Sequence, residues 1–252
     1  MKDEVTSLKT ITKILLGILI ILLAATGGFV LWASTPAQAD AQAQLAAEQA
    51  NLQTDGTLYF APVEPAKTTG IIFYPGGRVD YRAYAPLALA LAQSGYPVFI
   101  LKAPFNLAVF DPNGAAAMVS AHPEIGRWLI GGHSLGGSMA ASYVDGNPEV
   151  AADLFLLASY PAGSNDLSGR ATLRVLSISA TNDGLATPDK IEASRALLPA
   201  DTVFVAVEGG NHAQFGYYGD QAGDGQASIS REDQQNQVVE AFLNFLAAQD
   251  GQ

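Results

Sequence analysis

The tightest constraint on this chain is the pentapeptide Gly132-His133-Ser134-Leu135-Gly136, set between an apolar run at residues 128–131 and a small-residue segment at 135–144. The run reads as a buried strand and the segment as a helix, which puts the serine at a sharp strand-to-helix turn. A serine there is held in strained backbone angles that push its hydroxyl clear of the sheet. Side chains two residues before or after it would collide across the turn, and glycine stands at both positions. The following helix aims its first amides at any anion that forms beside the serine. Such a turn does chemistry only if the rest of the chain supplies a base, an acid and a second anion-binding amide.

The surrounding pattern supplies the sheet. Strands are expected at residues 57–61, 70–74, 96–101, 128–131, 153–158, 173–179 and 202–207, and helices at 84–94, 114–122, 135–144, 188–198 and 232–248. Residues 70–74 (Gly-Ile-Ile-Phe-Tyr) form a continuous β-prone run, the mark of a strand buried on both faces. Strand and helix alternate throughout, which predicts an α/β domain with a mostly parallel central sheet covered by helices on both sides. The segment at 159–172 is short and polar, so a large inserted lid is not expected there. Hydrophobic residues make up 49% of the chain and charged ones only 15%, enough for a sizeable core.

The order of these elements and of three polar residues resembles the α/β-hydrolase superfamily from residue 57 to the C-terminus, and within it the small lidless serine esterases and dienelactone-hydrolase-like members. That resemblance implies nucleophile, acid and histidine in chain order. Here these are Ser134, Asp183 in Asn182-Asp183-Gly184, and His212 in Gly210-Asn211-His212-Ala213. Asp183 follows the 173–179 strand and His212 the 202–207 strand, so both fall at strand C-terminal ends, where open α/β sheets place ligands. The chain has three histidines. His122 precedes Pro123 at a helix end, and His133 adjoins the serine and should pack behind it, which leaves His212 as the base. Asp166, after the preceding strand, is the alternative acid.

The second oxyanion amide is expected from Pro75-Gly76-Gly77-Arg78. Gly77 is the first choice and Arg78 the alternative, beside the amide of Leu135. The family often carries His-Gly at this place, where this chain has Pro75-Gly76. Tyr81, Phe105 and Phe215 are expected to line an acyl pocket. The loop at 216–230, with Asp220 and Asp224 among glycines, loosely resembles a calcium loop but lacks its regular spacing, so a solvated acidic loop is expected and no metal. The implied activity is hydrolysis of a carboxylic ester, thioester or lactone through an acyl-enzyme, with no cofactor. An acyltransferase of envelope components and a non-catalytic binding protein on the same fold are the alternatives.

The N-terminus carries a separate message. Residues 14–33 hold twenty consecutive uncharged, mostly apolar residues after Lys2, Lys9 and Lys13. At about 1.5 Å per residue a helix of this length spans a hydrocarbon core of roughly 30 Å. The lysines place residues 1–13 in the cytoplasm and the hydrolase domain, residues 57–252, outside it. The apolar run exceeds a usual signal-peptide core of roughly 7–15 residues, which favours a retained anchor. Cleavage after Ala39, in Ala37-Gln38-Ala39, would instead release a secreted domain. Residues 34–56, rich in Ala and Gln, are expected to form a stalk. A net charge of −11 argues against a nucleic-acid partner, and the absence of cysteine excludes disulfides and thiolate catalysis. The expected partners are a small ester substrate and, through the N-terminal helix, a membrane.

Overall fold

The computed structural model describes residues 2–150 and 152–250, in two units, Met1–Pro36 and Ala37–Gln252. The first unit is a single helix, α1 (Lys2–Ala33), and its stretch Thr12–Ala33 is long and apolar enough to cross a membrane.

The second unit runs α2 (Ala41–Ala47), β1 (Asn51–Leu52), β2 (Leu58–Phe60), β3 (Thr69–Tyr74), α3 (Ala85–Gln93), β4 (Val98–Ile100) and α4 (Ala115–Ala121). It continues with β5 (Arg127–His133), α5 (Leu135–Gly146), β6 (Ala152–Leu157), β7 (Val175–Ala180), α6 (Pro188–Ser194), β8 (Val203–Val207) and α7 (Arg231–Asp250). The eight strands lie in the order β1-β2-β4-β3-β5-β6-β7-β8, parallel from β4 to β8, with β1 and β2 antiparallel at one end. This is the expected architecture, and each predicted strand and helix is present with ends moved by a few residues.

Side-chain alternation divides the core into two layers. Ile71, Phe73, Leu129, Phe155 and Leu157 face the side covered by α2, α3 and α7, while Ile72, Tyr74, Ile130, Leu154 and Leu156 face α4 and α5. Strands buried on both faces need no polar alternation, which is why they read as continuous apolar runs. Helix ends follow local chemistry. Pro86 and Pro188 sit in the first turns of α3 and α6, where a missing N–H costs nothing, and Gly95 (φ 95°) lets the chain leave α3.

One expectation is corrected. Much of the stretch assigned to a stalk, residues 34–56, is built into the globular unit. Ala37 pairs with Val79, Ala43, Ala46 and Ala47 of α2 are buried in the core, and β1 forms a hairpin with β2. Alanines look featureless in sequence, yet their small side chains let a helix lie close on the domain, and Asp40 caps α2 through the Ala43 amide.

Phe155 is fully buried at the centre of the sheet, its ring 5.6 Å from Phe73 and 5.0 Å from Phe242. Phe155→Ala is expected to destabilise the globular unit by about 3–5 kcal/mol, read as a lower urea midpoint.

Candidate functional site

The site is built on the turn between β5 and α5. Ser134 takes φ 52° and ψ −123°, a conformation costing a non-glycine residue about 1–3 kcal/mol. Neighbouring strands hold it there. The Ser134 amide donates to the Leu157 carbonyl of β6 at 3.0 Å, and the Ser159 hydroxyl donates to the Ser134 carbonyl at 2.6 Å. Glycine is required on both sides because the backbone closes on itself. A Cβ on Gly132 would lie 2.8 Å from the Gly136 carbonyl carbon, and one on Gly136 would lie 2.7 Å from the Tyr74 carbonyl carbon.

Asp183 and His212 come from the loops after β7 and β8. They meet in a contact of 2.8 Å between Asp183 Oδ2 and His212 Nδ1, with side chains 0% and 1% exposed. Asp183 Oδ1 accepts the amides of Leu185 and Ala186, both at 2.7 Å. With Asp183 oxygens acting as acceptors, Nδ1 of His212 is the donor of the pair. Nε2 is left as the acceptor. It is buried, has no hydrogen-bond partner among the described residues, and belongs to a residue lining the same cavity as Ser134. Asp166 is not brought to the histidine. It sits on an exposed turn, held below the usual carboxylate range by hydrogen bonds from Ser168.

His133 occupies the far side of the turn, buried behind the serine. The Tyr84 hydroxyl accepts the Gly76 amide at 3.0 Å and contacts His133 Nδ1 at 2.9 Å. The hydroxyl thus joins the loop after β3 to the ring behind the serine. Burial pushes the His133 pKa well below the ordinary imidazole value, and His212, whose ring centroid is 4.5 Å away, adds to the effect. His133 is therefore neutral at physiological pH. His122 lies elsewhere, 2.8 Å from Glu124 and packed on Phe99.

Three amides of the loop after β3 are thereby distinguished. Gly76 donates to Tyr84, and Arg78 donates to the Asn106 carbonyl at 2.7 Å. The Gly77 amide makes no hydrogen bond among the described residues. Gly77 also lies against Leu135, since a Cβ on it would be 3.0 Å from Leu135 Cδ2. The Leu135 amide opens α5, where no intrahelical acceptor exists.

The cavity beside Ser134 and His212 has a volume of about 290 Å³ and is walled by Leu135, Ser138, Ala158, Tyr160, Leu185 and Ala186. None of Tyr81, Phe105 and Phe215 lines it, which corrects the expected pocket. Phe215 is fully buried against His133, Tyr81 packs on the core, and Phe105 is half-exposed on a left-handed turn (φ 52°). Sequence reasoning favoured aromatic residues. The signal for the actual wall was position, because Ala158 to Tyr160 and Leu185 to Ala186 follow the C-terminal ends of β6 and β7. The loop carrying Asp220 and Asp224 gathers no metal-binding group among the described residues. Its Asp224 carboxylate instead turns onto backbone amides.

Comparison with known proteins agrees with this architecture. Residues 70–236 match the sequence profile of the alpha/beta hydrolase family. The esterase Est2 of the Planctomycetes species Thermogutta terrifontis superposes with a TM-score of 0.55 at 14% identity, over 77% of this chain and 91% of that one. A putative hydrolase from Agrobacterium vitis S4 gives 0.57 at 15% identity, over 78% and 96%. A predicted CIB-like hydrolase from Thermoplasma acidophilum gives 0.53 at 16%, over 77% and 96%. At such identities the likeness is one of fold. No curated protein matches the chain significantly. The family match spans two thirds of the residues, from β3 into α7, and encloses the Ser134 turn, Asp183 and His212: the chain belongs to the alpha/beta hydrolase family.

Proposed function

We propose that this protein is a serine hydrolase that cleaves a small carboxylic ester through an acyl-enzyme. The observation that carries the reading is the His212 ring, fixed by Asp183 at Nδ1 and leaving Nε2 without a partner among the described residues, in a residue that shares a cavity with the strained Ser134. Ser134 Oγ attacks the ester carbonyl as His212 Nε2 takes its proton. Asp183 holds the ring in the productive tautomer and stabilises the imidazolium. The amides of Leu135 and Gly77 receive the oxyanion, each worth about 3–4 kcal/mol in the transition state. His212 then gives its proton to the departing alcohol, and water, with His212 again as base, releases the acid. The Ser134–His212 contact tightens as substrate binds, in the manner of catalytic hydrogen bonds in Michaelis complexes.

Two further observations support the reading. A Thermogutta terrifontis esterase of this fold is known in a form phosphorylated by paraoxon, the reaction expected of an activated serine (TM-score 0.55). The cavity volume of about 290 Å³ lies at the bottom of the range of small-molecule sites, roughly 300–1,000 Å³, which favours a short acyl group. We further infer that α1 is retained as an anchor, with Lys2, Lys9 and Lys13 on the cytoplasmic side and the hydrolase unit outside. Ala37 and Ala39, the residues that would mark a cleavage site, are hydrogen-bonded within that unit through Arg78, Asp80 and Gln44.

Ser134→Ala is expected to lower kcat/KM for p-nitrophenyl acetate at least about 10³-fold, and activity that survives it discards the assignment. Asp183→Asn should cost about 10⁴-fold through the wrong histidine tautomer, while Asp166→Asn stays within about twofold of wild type. Across a p-nitrophenyl ester series, kcat/KM should fall beyond short acyl chains. A rise toward long chains contradicts the small pocket. Protease added to intact cells should degrade the hydrolase unit, and full protection would reverse the orientation.

A further inference from the structure

Asp183 and His212 sit on separate loops, and their contact is only as good as the relative position of those loops. Part of the connection is backbone to backbone, with the Asn182 amide donating to the Gly210 carbonyl at 2.9 Å. The rest comes from a third segment. The Asp224 side chain reaches in from the 216–230 loop and accepts four amides. Its Oδ1 takes those of Gly184 at 3.1 Å, His212 at 3.2 Å and Gly225 at 2.8 Å, and its Oδ2 takes that of Ala213 at 2.9 Å. One amide follows the acid, one belongs to the histidine itself, and one follows the histidine.

The approach of this segment is sterically built in. A Cβ on Gly184 would lie 2.9 Å from the Asp224 carbonyl carbon, and one on Gly225 would lie 3.0 Å from that of Asn182, so backbone meets backbone along both loops. The chemistry fits an aspartate and not its amide. Three of the four N–H groups converge on Oδ1 and the fourth, from Ala213, on Oδ2, so both carboxylate oxygens are needed as acceptors. Asparagine has one acceptor oxygen, and its NH₂ would face an N–H donor.

We propose that Asp224 is a positioning residue of the active site, a carboxylate that fixes the acid loop to the base loop and so sets the His212 ring against Asp183 and Ser134. It touches no reacting atom and acts through the backbone of His212. The inference rests on the serine-hydrolase reading for its kinetic consequences, but not for its structural one. Transition-state geometry tolerates little displacement, and a shift of about 1 Å in a supporting group costs up to about 10²-fold.

The test uses the full-length chain in detergent and compares wild type with Asp224→Asn and Asp220→Asn. Asp220 is exposed on the same loop and, among the described residues, makes no hydrogen bond to the loop of Asp183 or that of His212. Three quantities are read: kcat and KM on a short ester, the rate and stoichiometry of Ser134 labelling by a fluorophosphonate, and the low-field ¹H NMR signal of the His212 Nδ1 proton. Asp224→Asn should lower kcat by about 10–100-fold with KM within about twofold. It should slow labelling while leaving one labelled site per chain, and shift or broaden the imidazole proton signal. Asp220→Asn should change none of these.

A native signal with wild-type kcat in Asp224→Asn overturns the proposal. A kcat loss matched by an equal loss of labelled sites marks a misfolded variant. If Asp224→Asn does not fold, Asp224→Glu decides. It keeps the charge and both acceptors on a longer stem, and a displaced signal with reduced kcat supports the role, while native values overturn it. If wild type itself neither reacts with the probe nor cleaves esters, the hydrolase reading fails, and the proton signal still judges whether Asp224 holds His212.

Discussion

The structure depends on how closely the backbone of the Ser134 turn can approach β3 and β6. Ser134 is held at φ 52° only because Leu157 and Ser159 bind its amide and carbonyl, and because Gly132 and Gly136 leave no Cβ between the turn and the Tyr74 backbone. A conformation costing about 1–3 kcal/mol persists when its surroundings over-determine it. Here the surroundings are the parallel registers of β5 with β3 and with β6, themselves fixed by apolar side chains on both faces. The sheet is thus the means by which a hydroxyl is pushed outward, and α5 begins where an anion would form.

Burial then separates two histidines whose rings lie 4.5 Å apart. His133, hydrogen-bonded to a tyrosine that is itself hard to ionise when buried, has no anion beside it, and desolvation keeps it neutral. His212 instead has Asp183 at Nδ1, in a residue that lines the same cavity as Ser134. The two adjacent rings thus differ in what stands behind them, a tyrosine for one and a carboxylate for the other. Through Tyr84 the His133 side also spends the Gly76 amide, which leaves Gly77 to face the proposed oxyanion.

Around this centre the loops are held by backbone groups more than by side-chain pairs. Asp183 is fixed by the amides of Leu185 and Ala186, and Asp224 by those of Gly184, His212, Ala213 and Gly225. The glycines of the 216–230 loop, which in sequence suggest looseness, allow the close backbone contact on which this arrangement rests. The residues before β1 behave alike. An Ala-rich stretch with little to bury becomes a packed helix because alanine lets it lie close to the sheet's covering layer.

The sequence by itself determined the fold class, the strand and helix order, the elbow and the set of polar candidates. Apolar periodicity and glycine punctuation are local, and local chemistry enforces them. Ser134 and His212 were legible because a strand-turn-helix glycine pattern and a scarcity of histidines each leave few choices. What walls the cavity and where residues 37–52 pack were decided by tertiary structure alone, whereas Asp183 over Asp166 and Gly77 over Arg78 were preferences in the sequence whose contacts only the fold supplies. Asp183 and Asp166 are the same residue type and both follow strands, and the spatial neighbourhood of β7 and β8 brings Asp183 to His212. The Asp224 contacts to the two loops join segments from 11 to 40 residues apart, through backbone groups that every sequence possesses. No residue type advertises them, so they exist only once the chain is folded.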